Sequence, residues 1–295
     1  MSDLDYEVIH KRYRNAKANK LLWEDVIREA YRYALPERNT IDNYSPGQGK
    51  RRYVFDDTAV DALNDYANKM SASLVPGNTH WIKLESGTDI PKKEKDNADK
   101  YFEETTDVFF QQLNSSNFTS QINEAFLDLG ISTGAIICEE GDGIQSGLNF
   151  RAISLSELVL EKSSRGIVET VFREFKVPVK DIATTWPKAV LTENLTKLID
   201  EKPTTEVVMV EGVVEIEGNF QSVLMYAREK EFLINEELEY NPYVVFRESA
   251  IAGEVYGRGR VMMQLNNIKT LNRMMEDYLK GLSFQANPIF TATDD

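Results

Sequence analysis

Hydrophobic residues near the start of the chain recur at the spacing of an amphipathic helix. From Trp23 onward apolar positions fall three or four residues apart, and Pro36 ends the run because proline cannot continue a helix. The predicted buried face comprises Trp23, Val26, Ile27, Ala30, Tyr31 and Ala34. A turn-rich segment at 43–49 then leads into the basic triplet Lys50-Arg51-Arg52.

A second helix is predicted to open at Asp57-Thr58. Thr58 and Asp61 have the spacing of a capping box, in which side chains satisfy the free N–H groups of the first turn. Pro76-Gly77 ends this helix. Its predicted apolar face comprises Ala59, Ala62, Leu63, Tyr66, Ala67, Met70 and Leu74.

Three shorter elements are predicted before the pattern changes. The segment 81–84, Trp-Ile-Lys-Leu, is typical of a short strand. A third helix follows the charged run at 92–99, and a fourth reaches Gly130. The predicted apolar positions are Tyr101, Phe102, Thr105 and Phe109 on the third helix and Ile122, Ala125, Phe126 and Leu129 on the fourth.

The hydrophobic period then changes from helical to alternating, which indicates β-strands. The predicted strands lie near 134–140, 148–153, 167–176, 205–217, 221–228 and 243–247, with a helical interlude at 188–201. Because helices and strands occupy separate parts of the chain, the order predicts an α+β fold.

A long helix of more than twenty residues is predicted from about Gly259 to about Gly281. At about 100° per residue one broad arc is apolar, and the basic and amide side chains share the opposite arc. Such a helix is suited to packing against neighbours while presenting a polar stripe to an anion such as a phosphate backbone. An ordinary amphipathic surface helix is the alternative. The apolar arc holds Val261, Leu271, Met274, Met275, Tyr278 and Leu282; the polar arc holds Asn266, Lys269, Asn272, Arg273, Asp277 and Lys280.

The formal net charge of -14 is unevenly distributed along the 295 residues. Residues 1–52 carry +3, residues 53–256 carry -18 and residues 257–295 carry +1. An acidic body does not suit a static DNA-binding protein, because such proteins gain affinity by neutralising many phosphates. It does suit a surface that DNA passes without being held. The alternative is that acidity only keeps the protein soluble.

Targeting signals are not apparent in the sequence. No apolar stretch is long enough to span a bilayer, and the first residues are too charged for a signal peptide, which predicts a cytoplasmic protein. The single cysteine, Cys138, lies in an apolar run and is predicted to be a buried thiol.

The residue types needed for catalysis are sparse or badly spaced. His10 and His80, the two histidines, have no metal-ligand or triad spacing. The adjacent acids Asp56-Asp57 and Glu139-Glu140 are better explained as solvated or helix-capping groups than as acid/base pairs. We therefore predict no enzyme activity, no catalytic residues, no metal and no cofactor.

Two glycine clusters invite comparison with phosphate-binding loops, and both depart from the pattern. In the cluster at 141–147 the third glycine comes one position late. In Gly257-Arg258-Gly259, Met262 replaces the third glycine and no βαβ unit follows. Tight turns explain both clusters. A nucleotide-binding enzyme that uses the second cluster remains an alternative.

Taken in order, these segments resemble the head-to-tail connector (portal) proteins of short-tailed, T7-like phages. The matching features are Trp23 with the helix end at 35–38, a helix opened by 57–59 and closed by 74–76, and then Trp81. The acidic, β-rich middle follows, and after it the signature Glu254-Val255-Tyr256-Gly257-Arg258-Gly259 that runs into the long helix. The resemblance covers nearly the whole chain.

The resemblance implies a phage portal fold. Residues 1–250 correspond to the wing region, with N-terminal helices to about 133 and a β-rich part over 134–250. Residues 251–286 correspond to the first stem helix and residues 287–295 to the start of the clip. Family members continue through the clip, a second stem helix, a tunnel loop and a crown, so we expect this chain to be a fragment or a truncated relative.

Roles for the long helix follow from the resemblance. The candidates for packing between subunits are Val261, Leu271, Met275 and Tyr278. The candidates for facing a DNA channel are Asn266, Lys269, Asn272, Arg273 and Lys280.

The partners implied by the resemblance are those of a channel at the capsid vertex of the virion. Copies of the chain form a homo-oligomeric ring, a dodecamer in family members, after assembly in the host cytoplasm. Double-stranded DNA passes through it without sequence specificity. The expected partners are the terminase motor, tail adaptor proteins, and capsid and scaffolding proteins, with no membrane. A capsid-associated adaptor or scaffold without a channel is the further alternative.

Overall fold

The structure is a computed structural model that describes residues 5–39, 41, 48–51, 53–77, 79–88, 91–141, 143, 146–163 and 165–286. Most of the predicted turn at 43–49, the residue Arg52 and the whole segment 287–295, predicted to begin the clip, lie outside the described residues.

The first helix is longer than predicted. α1 spans Tyr6–Ala34, and the Asp5 side chain caps it by accepting a hydrogen bond from the Glu7 N–H. A 3₁₀ turn, Pro36–Arg38, follows directly. The first half of α1 was missed because its apolar positions are sparse among basic residues, and they become buried only against a distant sheet.

The second helix, α2, spans Thr58–Leu74, but the predicted capping box is wrong. Thr58 is the first helical residue, and its N–H is satisfied by the Asp56 carboxylate at 3.1 Å. Val60, Leu63 and Ala67 are buried on this helix, whereas Leu74 is exposed.

The short strand predicted at 81–84 is wrong, because these residues form no strand. The Trp81 ring packs against Phe110 and Phe118, and the Leu84 N–H donates to the Thr106 hydroxyl. The Leu84 N–H therefore bonds to a side chain of a helix rather than to a neighbouring strand.

Helix α3 spans Lys92–Ser115 and helix α4 spans Phe118–Ile131, so only two residues separate them. The predicted apolar face of α3 is displaced by one position, because Thr106 and Phe110 are buried while Phe109 is 40% exposed. The predicted face of α4 is confirmed, since all four of its positions are buried: Ile122, Ala125, Phe126 and Leu129.

The strands form two antiparallel sheets. The smaller sheet has the order β2-β1-β8, and the larger has the order β3-β4-β5-β6-β7. The bounds are β1 Gly134–Glu140, β2 Leu148–Ala152, β3 Leu158–Lys162, β4 Val168–Pro178, β5 Glu206–Ile216, β6 Asn219–Tyr226, β7 Phe232–Leu238 and β8 Tyr243–Phe246. Six of these strands match predictions, whereas β3 and β7 were missed. The predicted helical interlude at 188–201 contains α6, Glu193–Glu201, whereas α5, Val179–Thr185, lies before it and was missed.

Three hydrophobic clusters hold the described residues together. The largest joins the second half of α1, α2, α4, the smaller sheet and the start of the last helix. A second packs Ile9, Tyr13 and Ala16 of α1 against one face of the larger sheet. A third packs α5 and α6 against that sheet. Cys138, predicted to be buried, is half-buried in β1, and burial raises the pKa of its thiol.

The last helix, α7, spans Arg260–Ala286 and begins where the sequence predicts. It packs against α1, α2 and α4. With seven helices and two antiparallel sheets among the described residues, the fold is α+β, as expected.

Candidate functional site

The turn before α7 lies directly against the junction between α4 and β1. A Cβ atom on Gly259 would lie 2.3 Å from the Gly130 carbonyl oxygen, and one on Gly257 would lie 2.7 Å from the Ser132 carbonyl oxygen. Because both obstacles are backbone atoms, neither can move aside as a flexible side chain does. Glycine at these positions therefore permits the close approach of two backbone segments.

Every backbone N–H of the turn is hydrogen-bonded, and those of the two glycines bond across its contact with the α4–β1 junction, which we call the joint. The Gly257 N–H donates to the Thr133 hydroxyl at 2.9 Å, the Arg258 N–H to the Ser249 carbonyl at 3.0 Å and the Gly259 N–H to the Ile131 carbonyl at 3.2 Å. A phosphate cradle needs free N–H groups that point at its ligand. This turn has none to offer, so the nucleotide-binding alternative is not favoured.

The side chains of the signature segment strengthen the same joint. Tyr256 is fully buried, and its hydroxyl donates to the Leu158 carbonyl and accepts from the Leu160 N–H. The Arg258 guanidinium lies over the Trp23 ring at 5.1 Å and forms two hydrogen bonds with Glu254. The hydrogen bond from Arg258 lowers the pKa of the Glu254 carboxyl. Signature residues that are distant from Trp23 in sequence thus form one anchoring unit with it.

The first turns of α7 are part of the protein core. Val261, Met262 and Leu265 are buried. Val261 was predicted as a candidate for packing between subunits, but its side chain is buried within its own chain.

Asn272 was predicted to face a channel, but its side-chain amide forms hydrogen bonds within the chain. It is 7% exposed, its amide nitrogen donates to the Tyr53 carbonyl at 2.8 Å, and its oxygen accepts from the Phe55 N–H at 2.7 Å. It holds the segment before α2 against α7, so it is not available on the surface of this chain. Its position seven residues after Leu265, on the same face of the helix, was a signal of burial in the sequence.

Each basic residue of α7 has an acidic partner. Arg260 pairs with Glu248, and Lys269 pairs with Glu29 of α1 at 2.8 Å. Further along the helix, Arg273 pairs with Glu276 and Asp277, and Lys280 pairs with Glu276. The hydrogen bond from Lys280 lowers the pKa of the Glu276 carboxyl. The predicted basic stripe is therefore locally neutralised, and the acids at helical spacing from Arg273 were readable in the sequence.

The apolar side of α7 is left uncovered beyond its first turns. Leu271 is 42% exposed and Tyr278 is 62% exposed, whereas Met275 lies half-buried between them. A groove of about 300 Å³ runs between α2 and α7 beside this side. Its apolar lining includes Ala59, Ala62, Leu63, Val261, Ile268 and Leu271. We call the exposed row Leu271, Met274, Tyr278 and Leu282 the apolar stripe.

No group of three or more His, Cys, Asp or Glu side chains in the described part of the chain is arranged to hold a metal ion. No described helix is both long and apolar enough to cross a membrane.

Comparison with known proteins identifies a protein family for the chain. The sequence profile of the family described as "Bacteriophage head to tail connecting protein" matches residues 7–295. The chain belongs to this family. It is also similar to the probable portal protein of Bordetella phage BPP-1, with 19% identity over 301 residues that cover 96% of this chain and 53% of that relative. The chain thus spans about half the length of the curated relative it matches.

Family membership confirms the resemblance seen in the sequence. It also gives the signature segment a physical explanation. In this connector chain the signature is the joint that fixes the long helix to the body, and its glycines serve backbone packing.

Proposed function

We propose that this chain forms the wing and first stem helix of a phage portal subunit, in a ring at the capsid vertex through which the genome is packaged and ejected. The main support for this proposal is the exposure of the outer half of α7, Arg273 to Ala286. No residue from Arg273 to Ala286, all of which the structure describes, is buried, yet Met274, Tyr278, Leu279, Leu282 and Phe284 are exposed. Such a surface favours contact with another molecule.

The geometry of α7 supports packing between copies of the chain. The 14 residues from Arg273 to Ala286 extend for about 20 Å. The apolar stripe lies on one side of this extension, beside the groove between α2 and α7. In a ring with cyclic symmetry, each stripe would meet a different surface of the next copy. Leu271, Met275 and Tyr278 remain the proposed packing residues, without Val261.

The electrostatics support a conduit rather than a DNA-binding surface. Residues 53–256 carry a net charge of -18, and the basic residues of α7 are paired with acids. Strong phosphate binding would stall DNA movement, because each neutralised phosphate adds to affinity. We propose Asn266, Arg273 and Lys280 as the channel-facing residues. Lys269 is excluded because Glu29 holds it against α1.

The remaining parts of the proposal concern the environment of the ring. Copies of the chain assemble, as a dodecamer, in the host cytoplasm with capsid and scaffolding proteins. The terminase motor and later the tail adaptor proteins bind at the clip. ATP-driven work belongs to the motor, so the connector itself performs no catalysis.

Electron microscopy of the whole protein tests this proposal. We expect closed rings with a central channel. A protein that stays monomeric at all concentrations and shows no rings would contradict it.

A second test addresses the channel. The double variant Arg273→Glu and Lys280→Glu should assemble normally but package DNA less efficiently. Normal packaging by this variant would show that the polar side of α7 does not face the DNA. The matched control is Lys11→Glu with Arg14→Glu, the same charge change on exposed residues of α1.

A further inference from the structure

A group of buried and partly buried polar side chains lies where the smaller sheet packs against the larger one. Arg151 on β2 and Tyr243 on β8 lie opposite the same residue, Ile137, in the central strand β1. Directly opposed residues of neighbouring strands point to the same face of a sheet. In the larger sheet, Arg173 of β4 lies opposite Glu211 of β5. Tyr243 of the smaller sheet belongs to the same buried cluster as Val213, which lies two residues after Glu211 in β5. The polar residues of the two sheets therefore lie where the sheets pack together.

Ion pairs satisfy only part of this group. Arg151 pairs with Glu139 at 2.9 Å through one terminal nitrogen, and Arg173 lies 3.5 Å from Glu211. Burial raises the pKa of the Glu211 carboxyl, and the two nearby arginines oppose that change. Burial also raises the pKa of the Tyr243 hydroxyl, and the Glu211 charge raises it further. The charges therefore lie close enough to act on one another.

Three buried atoms in the group have no hydrogen-bond partner among the described residues. They are Nε of Arg151, Oε2 of Glu211 and the hydroxyl oxygen of Tyr243. Tyr243 is only 6% exposed, so its hydroxyl is removed from bulk solvent. Leaving a buried polar atom unpaired costs about 1–3 kcal/mol. Nε of Arg151 and the Tyr243 hydroxyl therefore each require a partner, and Oε2 of Glu211 has only the 3.5 Å ion pair with Arg173.

We infer that Arg151, Tyr243 and Glu211 bind an ordered water molecule that bridges the two sheets. The Arg151 Nε–H donates to the water, the water donates to the Glu211 carboxylate, and the Tyr243 hydroxyl takes the third position. Buried waters in proteins make about three hydrogen bonds to polar groups that otherwise lack partners. Two arginines beside the site disfavour a cation, and the carboxylates of Glu139 and Glu211 disfavour an anion.

The site has a route to solvent. The side chains of Glu139 and Arg151 are each 37% exposed, so they line the outer edge of the polar group. Water can therefore enter from that edge. The bridge would add a polar contact beside the hydrophobic cluster that joins the two sheets, which holds Tyr243 of the smaller sheet and Val171 and Val213 of the larger.

The variant Tyr243→Phe tests the inference because it removes only the hydroxyl. We expect the folding equilibrium constant, measured by urea unfolding of the whole protein, to fall about fivefold. The matched control is Tyr240→Phe, whose ring is 69% exposed and which should leave the constant unchanged. A rise in the constant for Tyr243→Phe would show that the hydroxyl was unpaired, and would overturn the inference.

High-resolution electron microscopy or crystallography of the protein gives the direct measurement. We expect a solvent peak at about 2.7–3.2 Å from all three atoms. Direct hydrogen bonds among the three side chains, with no peak between them, would overturn the inference even if Tyr243→Phe is destabilising. A peak at about 2.4 Å from several oxygens would instead identify a metal ion and equally overturn it.

Discussion

The two halves of α7 differ in what holds them. In the inner half, Arg260 to Asn272, four residues are buried, and the basic residues Arg260 and Lys269 pair with acids on other parts of the chain. In the outer half, Arg273 to Ala286, no residue is buried, and the basic residues pair with acids on the helix itself. The inner half depends on tertiary contacts, whereas the outer half is a self-contained helix with an uncovered apolar side.

This difference suggests how a connector subunit divides its tasks. A joint that must orient a helix is built from close backbone contacts and buried hydrogen bonds, because these tolerate little movement. A segment that must meet neighbouring molecules keeps its apolar side chains exposed until assembly covers them. The four predictions below test this division through the free energy of unfolding or through assembly.

The largest effect is expected for Gly259→Ala at the joint. The added Cβ would lie within 2.5 Å of backbone atoms of Gly130 and Ile131, so the α4–β1 junction and the start of α7 must separate. We expect the free energy of unfolding, measured in urea, to fall by about 3 kcal/mol or more. The control is Gly281→Ala in the outer half, where nothing lies within 4 Å of the added Cβ. It should gain about 0.5–1 kcal/mol, because alanine favours helix. If Gly259→Ala and Gly281→Ala changed the free energy of unfolding in the same direction, the proposed difference between the two halves of α7 would be contradicted.

The next effect concerns the buried amide of the inner half. Asn272→Ala removes the partners of the Tyr53 carbonyl and the Phe55 N–H, and should lower the free energy of unfolding by about 2 kcal/mol. Asn266→Ala, an exposed position on the same helix, should change it by less than about 0.5 kcal/mol. Equal losses in the two variants would show that Asn272 has no special role.

A smaller change in stability is expected for the ion pairs. Lys269→Glu places a second acid beside Glu29 and should lower the free energy of unfolding by up to about 1 kcal/mol, less at high salt. Lys280→Glu should have a much weaker effect, because Arg273 still pairs with Glu276. If Lys280→Glu lowered the free energy of unfolding more than Lys269→Glu does, the prediction would be wrong. The outer half would then be stabilised by contacts of its charged side.

The smallest effect on the stability of the single chain is expected for the apolar stripe. The double variant Met274→Glu and Tyr278→Glu should unfold within about 0.5 kcal/mol of the wild type, since both side chains are mostly exposed. It should nevertheless fail to assemble in analytical ultracentrifugation. Asn266→Glu with Thr270→Glu adds the same charge outside the stripe and should assemble normally. Normal assembly of the stripe variant would sink the proposed packing role.

Local patterns were sufficient for much of this protein. The end of α1 at Pro36, the apolar face of α4, the strand at 134–140 and the start of α7 all follow from neighbouring residues, and the structure confirms them. The ordered motifs also led to the correct family, because each one marks a helix end or a tight turn. The strands β3 and β7 were missed because their burial depends on partners elsewhere in the chain.

The sequence by itself therefore determined the α+β class, the order of most elements, the long last helix and the family. Only the tertiary structure decided which polar residues of that helix are available. Asn272 and Lys269 share an arc with Arg273 and Lys280, yet Asn272 is buried under the segment before α2 and Lys269 is held by Glu29 of α1. The physical reason is that periodicity defines the faces of a helix but not what packs against each face. Those partners lie up to 240 residues away in the chain.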